Sequence, residues 1–239
     1  MKGMERMKAI LTLTAALAFA LSPLVSDGFN GFRPDQFPVP QIDPPGQPAG
    51  YAFAIWGLIY LWLVAGALFG LLRRDVAPGW DRARWPLIAS LVIGAAWIPV
   101  AQVSPFWATV LIWAMLLSAV WALLVAGSAD RAWLRTPIAL YAGWLTAASC
   151  VALALMLAGH GIMGAQAAAL AMIALALVIA LIVLRLRPDS PEYAGAVIWA
   201  LVGIVVANAT PPNLSVLALA GTGIAALAVS ALRGRAGRV

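Results

Sequence analysis

The sequence is poor in the groups with which water-soluble enzymes work. Its 239 residues hold one histidine, one cysteine and only 10% charged side chains, nine of them acidic. A lone cysteine, Cys150, has no partner for an intrachain disulfide, and its place inside an apolar run reads as packing. Neither a nucleotide-binding loop, a metal-ligand cluster nor a nucleophile–base pair is found. His160, the single histidine, falls in a Gly-His-Gly turn, where a solvated side chain is the plain reading and an axial haem ligand the sharper one. Aspartate, glutamate, lysine and histidine are missing from deep within the apolar runs. Ion-coupled pumps need ionisable groups there, so the composition argues against one.

Apolar residues are what the chain does have. They make up 64% of it, and the mean hydropathy is +0.95. Soluble domains run at about 45–50% apolar and about 25% charged. The runs are continuous and about 20 residues long, as a helix crossing a ~30 Å hydrocarbon core requires, and their lack of alternation excludes a barrel. The fold class is therefore all-α: a polytopic helical membrane protein with about eight transmembrane helices. The spans are expected at 9–26, 50–72, 86–103, 106–127, 136–158, 162–184, 193–209 and 214–232. The first run follows Lys2, Arg6 and Lys8. It resembles a signal peptide, with Ala18-Phe19-Ala20 as a cleavage pattern, but reads better as a retained helix in a protein that is otherwise membrane-embedded.

Charge gives the orientation. Alternating sides at each of the eight helices collects fourteen of the fifteen lysines and arginines on one side and leaves Arg33 alone on the other. The positive-inside rule then puts both termini in the cytoplasm and the proline-rich loop 27–47, with Asp27, Asp35 and Asp43, outside. The net charge of +6 and pI near 10.2 do not indicate nucleic acid, because the basic residues flank apolar runs instead of interleaving with aromatics. Trp80, Trp85, Trp107 and Trp133 lie at expected helix ends and read as interfacial belt residues.

The most informative stretch is Pro48–Tyr60, PAGYAFAIWGLIY. A proline-rich loop, with Pro44, Pro45, Pro48 and Gly50, feeds the second helix. Phe53, Trp56 and Tyr60 then follow at i, i+3 and i+7 on one side of it. Further on, Gly66 and Gly70 form a GxxxG pair, suited to close helix approach within the chain or across a dimer. Trp97-Ile98-Pro99 marks the third helix, and Pro137, Tyr141 and Trp144 mark the fifth.

With eleven tryptophans, these elements resemble the TspO/MBR family, the tryptophan-rich sensory proteins related to the translocator protein. That family opens its second helix with a motif of the form P-P-x-W-x-F-x-x-x-W-x-x-x-Y. Pro48, Tyr51, Phe53, Trp56 and Tyr60 match it, with Tyr51 in place of the first tryptophan and a Phe–Trp gap one residue shorter. Trp97-Ile98-Pro99 answers a W-x-P-like element, and Tyr141 and Trp144 keep the spacing of a P-Y-x-x-W element. The resemblance implies a five-helix core over residues 1–158, with three additional helices and a basic tail over 159–239. It also implies a pocket between the first five helices, lined by Tyr51, Phe53, Trp56, Tyr60, Trp97, Tyr141 and Trp144, that takes a flat hydrophobic ligand. Tetrapyrroles such as protoporphyrin IX or haem are the ligands the family implies, with no required cofactor, a bacterial inner membrane location, and the bilayer, the ligand and a possible homodimer as partners. Ordinary core packing or interfacial anchoring is the alternative reading of each ring.

Several functions follow from these residues. A receptor or carrier for a flat ligand leads. Facilitated permeation of a small solute, photochemical degradation of a porphyrin, and assembly through the Gly66/Gly70 face stand beside it.

Overall fold

In the computed structural model, residues 2–26 and 28–236 are described. Asp27 of the acidic loop and Arg238 of the basic tail lie outside the described residues. Among the described residues the chain forms eight α-helices and no β-strand: α1 (Lys2–Leu21), α2 (Ile55–Arg73), α3 (Pro78–Val103), α4 (Pro105–Val125), α5 (Arg135–Gly159), α6 (Ala165–Leu186), α7 (Pro191–Ala207) and α8 (Leu214–Ala236). Seven are long and apolar enough to cross a membrane, and α7, with 17 residues, is a shorter apolar helix. This is a polytopic helical membrane bundle.

Local chemistry sets the helix starts. Pro78, Pro105 and Pro191 each occupy the first turn, where a missing N–H costs nothing. Ser104 caps α4 by accepting from the Trp107 N–H. The first helix begins at Lys2 rather than residue 9, and two further boundaries differ in ways that move charged or aromatic residues. The third helix begins at Pro78 rather than residue 86, so Arg82 and Arg84 lie inside it rather than in a loop. Arg84 can be there because its guanidinium donates to the Asp75, Arg74 and Glu5 carbonyls at 2.6, 2.8 and 3.2 Å. At the second helix, residues 50–54 form a 3-10 turn, so Tyr51 and Phe53 precede α2 instead of lying on it.

At the centre stands α5, buried along nearly its whole length from Arg135 to Cys150. It packs against α4, α6 and α7 and, more lightly, α2, while α1 lies against α3 and α2, and α8 closes over α6 and α7. A hydroxyl pair pins α5 on each flank. The Tyr141 hydroxyl lies 2.9 Å from Ser90 Oγ, which donates to the Met115 carbonyl. The Tyr193 hydroxyl lies 2.6 Å from Thr146 Oγ1, which donates to the Ala142 carbonyl. Since each Ser or Thr proton is already committed, the tyrosine is the donor in both pairs. Gly143 lets α7 approach closely, because a Cβ there would overlap the Tyr193 carbonyl.

The Gly66/Gly70 pair is occupied within the chain. A Cβ on Gly66 would overlap the Trp133 carbonyl, and one on Gly70 would sit 2.5 Å from the Trp80 ring. Trp80 is accordingly a core residue, 5% exposed, rather than the belt residue expected from its position. Trp85, Trp107 and Trp133 are exposed. The Trp80 indole donates to Asp130 at 3.1 Å, and Arg74 grips the same carboxylate at 2.6 and 3.1 Å. Lys8–Asp81, Arg131–Glu192 and Arg135–Asp189 tie further segments at that end of the bundle.

Replacing Gly143 by valine forces α5 and α7 apart and costs about 1–3 kcal/mol. A lowered unfolding temperature in detergent checks this, with Gly57→Ala, where a Cβ meets open space, as the neutral control. The Arg74 hydrogen bond holds the Asp130 carboxyl below its ordinary value, with the Trp80 indole helping and burial opposing. The pair's stabilisation is therefore present above the ordinary carboxylate pKa, about 4, and is lost as pH falls through Asp130's depressed value. Asp130→Asn is expected to flatten this acid limb in a pH series of thermal unfolding.

Candidate functional site

The end of the bundle opposite the basic clusters is roofed by the loop between α1 and α2. Gln36 donates its side-chain amide to the Ala101 and Gln102 carbonyls at 3.0 and 3.1 Å, and the Val39 N–H donates to the Gly159 carbonyl at 2.8 Å. Phe29 meets Trp97 edge-to-face at 4.6 Å, Phe32 meets Phe37 at 5.9 Å, and Phe37 fills the space beside Gly159. A loop so tied is an ordered cap. His160 lies just beyond, exposed, its Nδ1 3.0 Å from the Met156 carbonyl.

Beneath the cap lies an apolar cavity of about 310 Å³. Tyr51, Phe53, Trp56, Tyr60 and Trp97 all line it, together with Phe19, Phe29, Ile112 and Met115. Ligand sites run from about 300 to 1,000 Å³ and are mostly apolar with few polar groups. The 3-10 turn does not scatter the motif residues, because it delivers Phe53 to the same space as Trp56 and Tyr60. Trp56 and Tyr60 stack at 5.4 Å and 16°, as neighbours one turn apart on α2 can. Trp97 is fixed by its indole N–H, which donates to the Ala108 carbonyl at 2.8 Å.

A smaller lobe of about 50 Å³ adjoins it across Phe53, Trp56 and Trp97. Its far wall is Trp144, Ala147, Ala148 and Ala152 of α5 with Ala200 of α7, under Gln47 and Pro48. Trp144 meets Phe53 and Trp56 edge-to-face, each at 6.0 Å. Among the described residues, none that lines either lobe is charged. A wider, open depression of about 1,120 Å³ lies between the first-loop prolines and residues 207–215, and among the described residues no aromatic ring lines it.

Six of the seven residues predicted for the site therefore line one or other lobe. Tyr141 does not. It is fully buried behind the wall, backing Phe19 at 5.6 Å and Trp56 at 6.4 Å, with its hydroxyl on Ser90. Tyr51 stands at the cavity mouth, 46% exposed, edge-on to Trp199, whose indole donates to the Ala52 carbonyl at 2.8 Å. Sequence reasoning missed Phe19, Phe29, Phe32 and Trp199. Phe19 touches Trp56, Tyr60 and Tyr141, but it sits in an apolar run whose pattern does not distinguish it. Phe29 and Phe32 were visible, with Phe37, as the rings of a loop rich in polar residues, glycine and proline.

Fold and site together define a helical membrane protein with an aromatic-walled, largely apolar cavity under a loop tied to the helix ends. The sequence model of the family described as TSPO-like protein matches residues 41–232, most of the chain. The chain belongs to that family, as the tryptophan-rich motif suggested, and the match runs on through α6, α7 and α8. No curated protein and no solved structure matches it.

Tyr141→Phe removes the donor to Ser90 and is expected to cost about 1 kcal/mol. Thermal unfolding in detergent measures it, and Ser90→Ala combined with Tyr141→Phe should cost less than the sum of the single changes.

Proposed function

We propose that the protein is a membrane receptor or carrier for a flat hydrophobic ligand, a tetrapyrrole such as protoporphyrin IX or haem, held in the cavity between α1, α2, α3, α4 and α5. The observation that carries this reading is the gathering of Tyr51, Phe53, Trp56, Tyr60 and Trp97 around one space with no charged side chain among its described lining residues. Aromatic faces favour a flat macrocycle by offset and edge contacts, each worth about 0.5–1.5 kcal/mol. At about 310 Å³ the cavity is at the small end for a ligand of that size, so in this reading binding widens it. In this reading the termini and the basic clusters face the cytoplasm and the aromatic cap faces the opposite side. Ala200 of α7 walls the smaller lobe, which gives one of the last three helices a part in the site. No step of bond chemistry is required of any residue.

Titration of the detergent-purified protein with protoporphyrin IX and with haem tests this, followed by tryptophan quenching and the ligand absorption band. Saturable micromolar binding is expected, lost by at least tenfold in a Trp56→Ala/Trp144→Ala variant that still unfolds cooperatively. Equal binding by both proteins, or none beyond that of empty micelles, would rule the reading out.

A further inference from the structure

The larger cavity opens on one side, and its own wall shows where. Of the residues that line it, Phe19, Trp97, Ile112 and Met115 are buried, whereas Asn30, Gly50, Tyr51 and Ala54 are exposed. With the half-buried Pro23, the exposed residues frame a mouth between the end of α1 and the start of α2.

The mouth exists because its two posts are drawn to different neighbours. Deeper in the bundle α1 and α2 meet, with Phe19 5.8 Å from Trp56 and 4.9 Å from Tyr60. Nearer the cap, Ser22–Leu24 form a 3-10 turn that packs on α3, while Gly50–Ala54 pack on α7. The second attachment is close. The Ala49 N–H donates to the Gly203 carbonyl at 3.0 Å, the Trp199 indole donates to the Ala52 carbonyl at 2.8 Å, and a Cβ on Gly203 would lie 2.8 Å from Pro48. Tyr51 rests edge-on against Trp199. One post of the mouth is therefore fixed by α7.

The depth of the mouth says what lies outside it. Pro23 falls within the apolar span Gly3–Leu24, and Gly50, Tyr51 and Ala54 fall within Gly50–Arg73. Leu24, next to Pro23, is 79% exposed, and Leu58, one turn along from Ala54, is 48% exposed. Apolar side chains so placed on membrane spans face lipid, and the mouth continues that lipid-facing surface. Towards water the cap closes the way, with Phe29 against Trp97 and Gln36 tied to the Ala101 and Gln102 carbonyls. Protoporphyrin IX and haem carry both carboxylates on one edge, and among the described residues lining the cavity no cation offsets the cost of burying them. A mouth at the helix ends leaves that edge at the polar boundary of the bilayer while the apolar remainder of the ring goes in.

We infer that the cavity takes its ligand from the bilayer rather than from water, through a lateral portal between α1 and the Gly50–Ala54 turn, in the leaflet on the cap side. This rests on the cavity being the ligand site, and adds the phase that supplies the ligand and the route it takes.

The test uses the full chain in phosphatidylcholine nanodiscs. p-Benzoylphenylalanine in place of Ala54 should give, on irradiation, an adduct of the mass of one phospholipid, as it should in place of Leu58, with none in place of the exposed His160 beyond the cap. Stopped-flow mixing with protoporphyrin IX then reads the route. Ala54→Trp, and Pro23→Trp on the opposite post, should slow association and dissociation together by about tenfold and leave Kd within about twofold, because narrowing a path changes both rates alike. Gln36→Ala, which unties the cap, should leave both rates unchanged. A phospholipid adduct at Leu58 but not at Ala54 would overturn the inference and leave the cavity reading in place. So would rates that respond to Gln36→Ala and not to the tryptophan variants, or a loss of affinity in both tryptophan variants with association unchanged. Failure of the wild-type protein to bind protoporphyrin IX would remove the cavity reading itself, and this inference with it.

Discussion

The bundle depends on the burial of α5 between two groups of helices, with a tyrosine hydroxyl spent on each flank. In a hydrocarbon environment water is not there to satisfy stray polar atoms, so each hydroxyl must end on a partner inside the protein. Tyr141 reaches Ser90 and, through it, the Met115 carbonyl of α4. Tyr193 reaches Thr146 and so fastens α7 to the other flank. Once α5 is fixed in rotation, Trp144 is aimed at Phe53 and Trp56, and the cavity has its inner wall. The small residues of α5 do the complementary job, letting α7 close in at Gly143 and leaving the alanine-walled lobe.

Charge and ring chemistry are sorted to opposite ends. Arg74, Arg84, Arg131 and Arg135 at one end find carboxylates or backbone carbonyls, several of them clamping one inter-helix connection to the next. The other end is held by the phenylalanines of the first loop and the Gln36 amide. An aromatic cap thus covers a cavity with no charge among its described lining residues, and the proposed ligand would be recognised there by shape, by stacking and by very few polar groups.

Much of this was legible in the sequence, for stated physical reasons. Eight apolar runs and the charge asymmetry gave the helix count, since each follows from what a bilayer tolerates. The spacing Phe53–Trp56–Tyr60 gave the main wall even though residues 50–54 turned out to be 3-10, because both geometries deliver these rings to one side. Other features needed the fold. Nothing local separates Trp80 from Trp85. One is buried because Gly70 makes room for it and Asp130 accepts its proton, and the other faces outward. Arg82 and Arg84 suggested a loop, and only the carbonyls of α1 and of the short α2–α3 connection make a buried helical Arg84 acceptable. Phe19 stood in a run with no distinguishing pattern, and Tyr141 matched a motif while its hydroxyl was committed elsewhere.

The central claim is that the space walled by Trp56, Trp97 and Trp144, rather than the lipid-facing surface, takes the ligand. Fluorine NMR of the 5-fluorotryptophan-labelled protein, assigned by single Trp→Phe changes and recorded during addition of protoporphyrin IX, tests it most directly. The account expects the resonances of Trp56, Trp97 and Trp144 to shift with one shared saturation curve, while those of the exposed Trp107 and Trp121 stay in place. Shifts confined to Trp107 and Trp121, or spread evenly over all positions without saturation, would show that the porphyrin partitions into the micelle and that the cavity is only part of the packing.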